Sequence, residues 1–240
     1  MTTVPNFSPD QPPSVVVAAA GEWLAAQIGD GARYLRSKRD VVRKVAGRAA
    51  GIGLQTSSWS RTGQGTWISP RIWVTDAHVN AWQKEHPLAG LFTQGGYIFS
   101  TLIVNLGLRG TVELVGPLRS AQPATTMSLP EFWATLAEDV LPTSRLLWGA
   151  PAAAAELLPD RWLGRPEPLF WWAVAYGDKG AALTVLSRYF LNQPRSREHF
   201  DAGRRLAGAG VQAPVPVSNV MIALGWSAVT SGALGADEPV

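Results

Sequence analysis

Ser128-Leu-Pro-Glu-Phe-Trp-Ala-Thr-Leu-Ala-Glu-Asp-Val-Leu141 divides the chain into two kinds of sequence. Its first four residues form a capping box, in which the serine hydroxyl accepts from the third helical N–H and the glutamate reaches back to the serine N–H. Pro130 falls early in the helix, where a missing N–H costs little. Leu129, Phe132, Trp133, Leu136, Val140 and Leu141 recur at i, i+3, i+4, i+7, i+11 and i+12, the spacing of one apolar helix face. The pattern predicts a helix over 129–141 with Phe132, Trp133, Leu136 and Val140 turned to a core.

Downstream the helical pattern continues, with stretches expected at 152–158, 167–176, 181–191, 197–207 and 218–228. Gly177-Asp-Lys-Gly180 and the prolines Pro194, Pro214 and Pro216 punctuate them. Upstream the pattern is mostly strand-like. A first helix carries Val16, Ala20, Trp23, Leu24 and Ile28 and is closed by Gly29 and Gly31. Val41 to Ala46 and Ile52 to Trp59 read as a hairpin turning at Gly47-Arg48. Gly63-Gln-Gly65 separates it from Thr66 to Thr75, where Pro70 predicts an edge position or a bulge. Asp76 is the expected N-cap of a short helix bearing Val79 and Trp82 and stopped by Pro87. Tyr97 to Leu106 is apolar on both faces and therefore reads as the central strand. Thr111 to Val115 reads as an edge.

Strands gathered in the first half and helices in the second predict an α+β fold, a mainly antiparallel sheet packed by helices with a helical C-terminal half. The expected organisation is a flexible arm at 1–13, one α+β domain over 14–232 and a flexible tail at 233–240. A sub-boundary is expected near 117–126.

Composition narrows the function. In 240 residues, 46% are hydrophobic and 16% charged, which argues against a mostly disordered chain. With no cysteine there is no disulfide, thiolate nucleophile or cysteine-based metal site. Residues 1–13 do not read as a signal peptide. The most apolar stretch, 215–229, is too short and too interrupted to span a bilayer. A cytoplasmic location is expected.

Catalytic signals are weak. His78 and His86 lie eight residues apart, too far for the i, i+4 pair that clamps one metal ion, and His199 stands alone. Arg61-Thr-Gly-Gln-Gly-Thr66 lacks the Gly-Lys-Ser/Thr ending of a phosphate loop and reads as a connection between strands. No Gly-x-Ser-x-Gly elbow occurs, and Ser57-Ser58 has no accompanying base. No cofactor is implied and no residue is assigned a catalytic or metal-binding role.

Charge placement is more informative. Residues 33–48 hold Arg33, Arg36, Lys38, Arg39, Arg43, Lys44 and Arg48 against Asp40 alone, a local balance of +6 in a chain of net charge +3. A basic strip on a slightly acidic body favours an anionic partner. Tyr34 and Trp59 would supply stacking surfaces beside it. The same strip also describes an edge strand guarded against aggregation by Lys and Arg.

Gly31-Ala-Arg-Tyr-Leu35 after the first helix, the basic strand, Ile52-Gly-Leu-Gln55, and Phe99 running to Val104-Asn-Leu-Gly107 together resemble an uncharacterised bacterial family of domains of unknown function. The likeness covers residues 14–120, and the insertion at 76–94 and the helical C-terminal half depart from it. The resemblance implies a fold and no chemistry. The function expected is a non-catalytic binding or accessory protein, of the immunity or complex-forming kind, that meets a protein or other anionic partner through 33–48. Nucleic-acid binding through the same strip is the first alternative, and a hydrolase using His78 or His86 the second.

Overall fold

Pro13 opens α1 (Pro13–Ile28), and Gly29, at a φ of 64° that disfavours side chains, closes it. The structure, a computed structural model, describes residues 3–87, 94–116, 126–212 and 219–240. The expected sub-boundary, apart from Thr126, and Pro214 and Pro216 lie outside them. The chain divides into two compact units, one of Met1–Val74 with Phe99–Arg145, the other of Thr75–Ile98 with Leu146–Val240.

The first unit is built on the sheet, which among the described residues has seven strands: β1 (Arg33–Leu35), β2 (Asp40–Val45), β3 (Arg48–Thr56), β4 (Thr66–Asp76), β5 (Tyr97–Leu102), β6 (Thr111–Val115) and β7 (Thr126–Ser128). Their order is β1-β2-β3-β4-β6-β7, with β5 attached to β4 alone. β6 and β7 are parallel, whereas β1, β2 and β3 run antiparallel in sequence, as do β4 and β6. The α+β reading therefore holds.

β4 is an internal strand, and β5 is not. Along β4 Thr66, Ile68, Pro70, Ile72, Val74 and Asp76 are buried and alternate with half-buried residues. Tyr97 to Leu106 corrects the expectation of a central strand, because β5 has one neighbour and ends at Leu102 before a 3-10 turn over Ile103–Leu106. Ile98 and Phe99 are buried on its opposite faces, and that apolar pair had suggested a central place. β6 in turn lies between β4 and β7 and is not an edge. Pro70 is not on an edge strand either. It stands just past Ile68, the last residue of β4 registered with β6, and the irregularity in that ladder falls at Thr66/Trp67.

The β2–β3 hairpin forms, with Val45 opposite Arg48, and its turn is Ala46-Gly47, one residue before the expected Gly47-Arg48. Both turn residues have positive φ, 46° and 81°, the signature of a two-residue turn that matches strand twist. β3 stops at Thr56, so Trp59 lies in the following turn and not in the strand. α1 packs on β1, β2, β3 and β6 through Val16, Val17, Ala20 and Leu24.

α3 (Leu129–Thr135) starts with the expected capping box and packs on β6 and β7. The helix then widens into a π-turn over Leu136–Val140, where the Leu141 N–H reaches the Leu136 carbonyl, before α4 (Leu141–Ser144). Pro142 supplies the reason: its ring would press on the carbonyl four residues back in a regular helix. Phe132, Leu136 and Val140 are fully buried. Trp133 is only half-buried, its ring edge-on to Trp23 at 6.4 Å, which corrects the expectation of a core position.

The second unit holds α2 (Ala77–Glu85), α5 (Pro151–Leu157), α6 (Glu167–Ala175), α7 (Lys179–Asn192), α8 (Pro194–Gly208) and α9 (Val220–Thr230). α6 is buried around most of its circumference, with Leu169, Phe170, Trp171, Trp172 and Ala173 between α2, α5 and α7. A helix apolar all round belongs inside a core, and α6 is the centre of this one. Arg188 of α7 donates to the carbonyls of Ala155, Glu156 and Leu158, satisfying the C-terminal end of α5. The last residues are held by Arg204, which donates to the carbonyls of Gly235 and Glu238, and by a Lys179–Glu238 ion pair of 2.7 Å.

Candidate functional site

The basic strip folds into β1, the turn at 36–39, β2 and the start of β3. Extended backbone advances about 3.4 Å per residue, so the five steps from Arg39 to Lys44 span about 17 Å. The seven bases therefore separate into two groups. Arg36, Lys38 and Arg39 lie at the β1–β2 turn, and Arg33, Arg43, Lys44 and Arg48 lie toward the other end of the hairpin.

Two bases are answered from α1 and its C-terminal turn. Arg36 pairs with Glu22 at 2.6 Å and Arg43 with Asp30 at 3.3 Å. Arg48 is half-buried, while Arg33, Lys38, Arg39 and Lys44 are exposed. Tyr34 is half-buried, its ring lying against the Cα of Gly21, where any side chain would collide with it. Burial pushes its phenol pKa up, against the lowering effect of Arg39 and Arg36.

Arg39 organises its end of the sheet. Its backbone has φ 54°, a left-handed conformation costly for a side chain of this kind. Its carbonyl accepts from Leu54 at 2.8 Å and its Nη1 donates to Thr56 Oγ1 at 2.7 Å. Thr56 leads directly into the turn that carries Trp59, whose Cα lies within about 11 Å of the Thr56 Cα. Arg61 follows two residues later and is also exposed. Lys38 and Arg39 in the β1–β2 turn, and Trp59 and Arg61 in the β3–β4 connection, thus lie at the same end of the sheet and define a candidate rim. Arg61 was not among the expected contact residues, because it is separated from the strip by a whole strand. The signal available in the sequence was its place beside Trp59 in the Gly-rich connection.

Two acids border the rim. Asp10 is exposed, and the neighbouring Pro9 carbonyl accepts from Gly63 at 2.7 Å. Asp40 is half-buried with Oδ1 packed near the Gly53 backbone, and burial raises its carboxyl pKa despite Lys38 and Arg71.

Among the described residues no hydrogen bond joins a histidine to a serine or threonine hydroxyl. Asp76 caps α2 through Oδ1, which accepts from His78 N–H at 2.8 Å and Val79 N–H at 3.2 Å, and its Oδ2 accepts from Tyr176 Oη at 2.9 Å. The His78 ring meets the Ala175 carbonyl at 2.8 Å through Nε2 and stands edge-on to Tyr176. His86 stacks on Trp82 at 4.2 Å, and Trp82 stacks on Trp171. His199 approaches Asn219 at 3.1 Å. Among the described residues no group of three or more His, Asp or Glu is placed to hold a metal ion, and no helix is long and apolar enough to cross a membrane. Compared with family models, curated proteins and solved structures, the chain matches none.

Proposed function

We propose that this chain is a non-catalytic cytoplasmic binding protein that meets an anionic partner at the rim formed by Lys38, Arg39, Trp59 and Arg61. The observation that carries the reading is Arg39. Glycine or asparagine would occupy its left-handed backbone without strain, yet an exposed arginine stands there. Backbone strain retained at an exposed charged residue is a mark of selection for contact, since stability alone favours another residue. Lys38 beside it in the chain, and Arg61 in the connection after β3, add to the positive field at this end of the sheet.

The test is retention on a heparin column, comparing the native chain with two variants. Lys38→Ser/Arg39→Ser/Arg61→Ser removes the rim, and Arg33→Ser/Lys44→Ser removes exposed bases at the far end of the hairpin. Surface changes of this kind shift stability by about 0.5 kcal/mol each or less. The rim variant should elute at clearly lower salt and the far-end variant close to the native chain. Elution of both variants with the native chain would leave the hairpin as a guarded sheet edge.

A further inference from the structure

We propose that the anionic partner is a single-stranded nucleic acid, with phosphates on Lys38, Arg39 and Arg61 and a base stacked on Trp59. This rests on the reading just given and names the partner's class. Its independent observation is the indole. Trp59 is 78% exposed, whereas the other ten of the eleven tryptophans are buried or half-buried. A large aromatic surface is normally removed from water on folding, so one held out in solvent is a binding surface in waiting.

The exposure is not looseness. The Trp59 N–H donates to Ser57 Oγ at 3.3 Å, and the Ser60 N–H to the Ser57 carbonyl at 3.0 Å. The Ser60 hydroxyl is fixed between the Trp67 N–H and carbonyl, at 2.9 and 3.0 Å. The indole is thus presented by a bonded turn at the end of the sheet, between Thr56, to which Arg39 donates, and Arg61 along the chain. Cations interleaved with an open aromatic face are the two elements that grip a single strand: charge follows the backbone, and the ring takes a base of any sequence.

A duplex fits this rim less well, because its bases are already stacked on one another and a lone indole has no free face to meet. An acidic peptide answers the cations but offers no comparable flat group to the indole. Asp10 and Asp40 border the rim, and three cations leave the balance positive.

The experiment is fluorescence anisotropy with three labelled probes: an oligothymidylate of about twelve nucleotides, a duplex of the same length, and polyglutamate. The oligothymidylate should bind best. The slope of log K against log salt should be about −2, as three phosphates at about 0.7 each require. Trp59→Ala should weaken binding about five- to hundredfold, the range carried by one base–aromatic stack, and leave the slope unchanged. Trp59→Phe should restore most of the affinity, and Lys38→Ser/Arg39→Ser/Arg61→Ser should flatten the slope. Circular dichroism of each variant shows that the fold is kept. Equal or tighter binding of duplex or polyglutamate, or indifference to Trp59→Ala, would overturn the single-strand inference and leave the anionic-partner reading standing. Failure of all three probes to bind would overturn both.

Discussion

Arg39 reaches across the end of the sheet to Thr56, its Nη1 donating to the threonine hydroxyl at 2.7 Å, from a backbone held at φ 54°. The left-handed conformation costs a side-chain-bearing residue about 1–2 kcal/mol. Glycine escapes that cost but loses more entropy on folding, by about 0.5–1 kcal/mol, and the exposed hydrogen bond adds little. Arg39→Gly should therefore leave stability equal to or slightly above that of the native chain while weakening partner binding. Urea denaturation set beside the oligothymidylate titration separates the two effects. A less stable variant with unchanged binding would make Arg39 a structural residue.

Ala46 provides the control for that argument. It sits at φ 46° in the β2–β3 turn, before Gly47 at 81°. Asn-Gly is the preferred pair for a turn with two positive φ values, and asparagine enters this region more easily than alanine. Ala46→Asn should raise stability by about 0.5–1 kcal/mol and leave oligothymidylate binding as it is, because the turn lies at the far end of the hairpin from Trp59. A denaturation midpoint that falls would show that the turn type is wrong.

Gly203 of α8 and Gly225 of α9 let two backbones meet. A methyl group on Gly203 would strike the Ile222 carbonyl, and one on Gly225 the Phe200 carbonyl. In an isolated helix Gly→Ala gains about 1 kcal/mol. Here overpacking, worth about 1–3 kcal/mol and more when backbone must shift, outweighs it. Gly203→Ala and Gly225→Ala should each lower the thermal midpoint, whereas Gly208→Ala, near the end of α8, should not lower it comparably. A neutral Gly203→Ala would mean that the helices cross less closely.

Glu167 is a buried acid in the first turn of α6, and among the described residues its Oε2 has no hydrogen-bond partner. Burial raises its carboxyl pKa, and Arg165 opposes the shift. The folded pKa lies above the unfolded one, so the stability contributed by the protonated form is present below the ordinary carboxylate pKa. It is lost as pH rises through the folded value. Glu167→Gln should match the native chain near about pH 4 and exceed it by about 1 kcal/mol or more near pH 8. Denaturation curves at the two pH values test the sign. A variant less stable than the native chain at pH 8 would show a hidden charge partner.

Local signals carried well from residues to structure. The Ser128–Glu131 capping box, the Asp76 cap and Gly29 are satisfied by atoms within a few residues of each other, so nothing distant is needed to form them. β5 shows where the pattern misleads. Ile98 and Phe99 reveal burial on two faces, but burial does not count hydrogen-bonded neighbours, and β5 has one. Pro70 misleads in the opposite direction. A missing N–H is costly in a continuous ladder, yet β4 has β6 and β5 as successive partners, and Pro70 lies past the end of the β6 register.

The α+β class, the helix ends that cap locally and the concentration of charge at 33–48 are all legible in the chain before it folds. Each depends on neighbours along the chain. What that charge amounts to depends on contacts made across the fold. The hairpin stretched the strip into two groups, while Glu22 and Asp30 came from the α1 segment to answer Arg36 and Arg43. Tyr34 was turned onto Gly21, and the connection after β3 put Trp59 and Arg61 at the same end of the sheet as the β1–β2 turn. Coulomb energy falls off with distance in space, not along the chain, so a balance of +6 in sequence is divided in the fold between two ends of a hairpin.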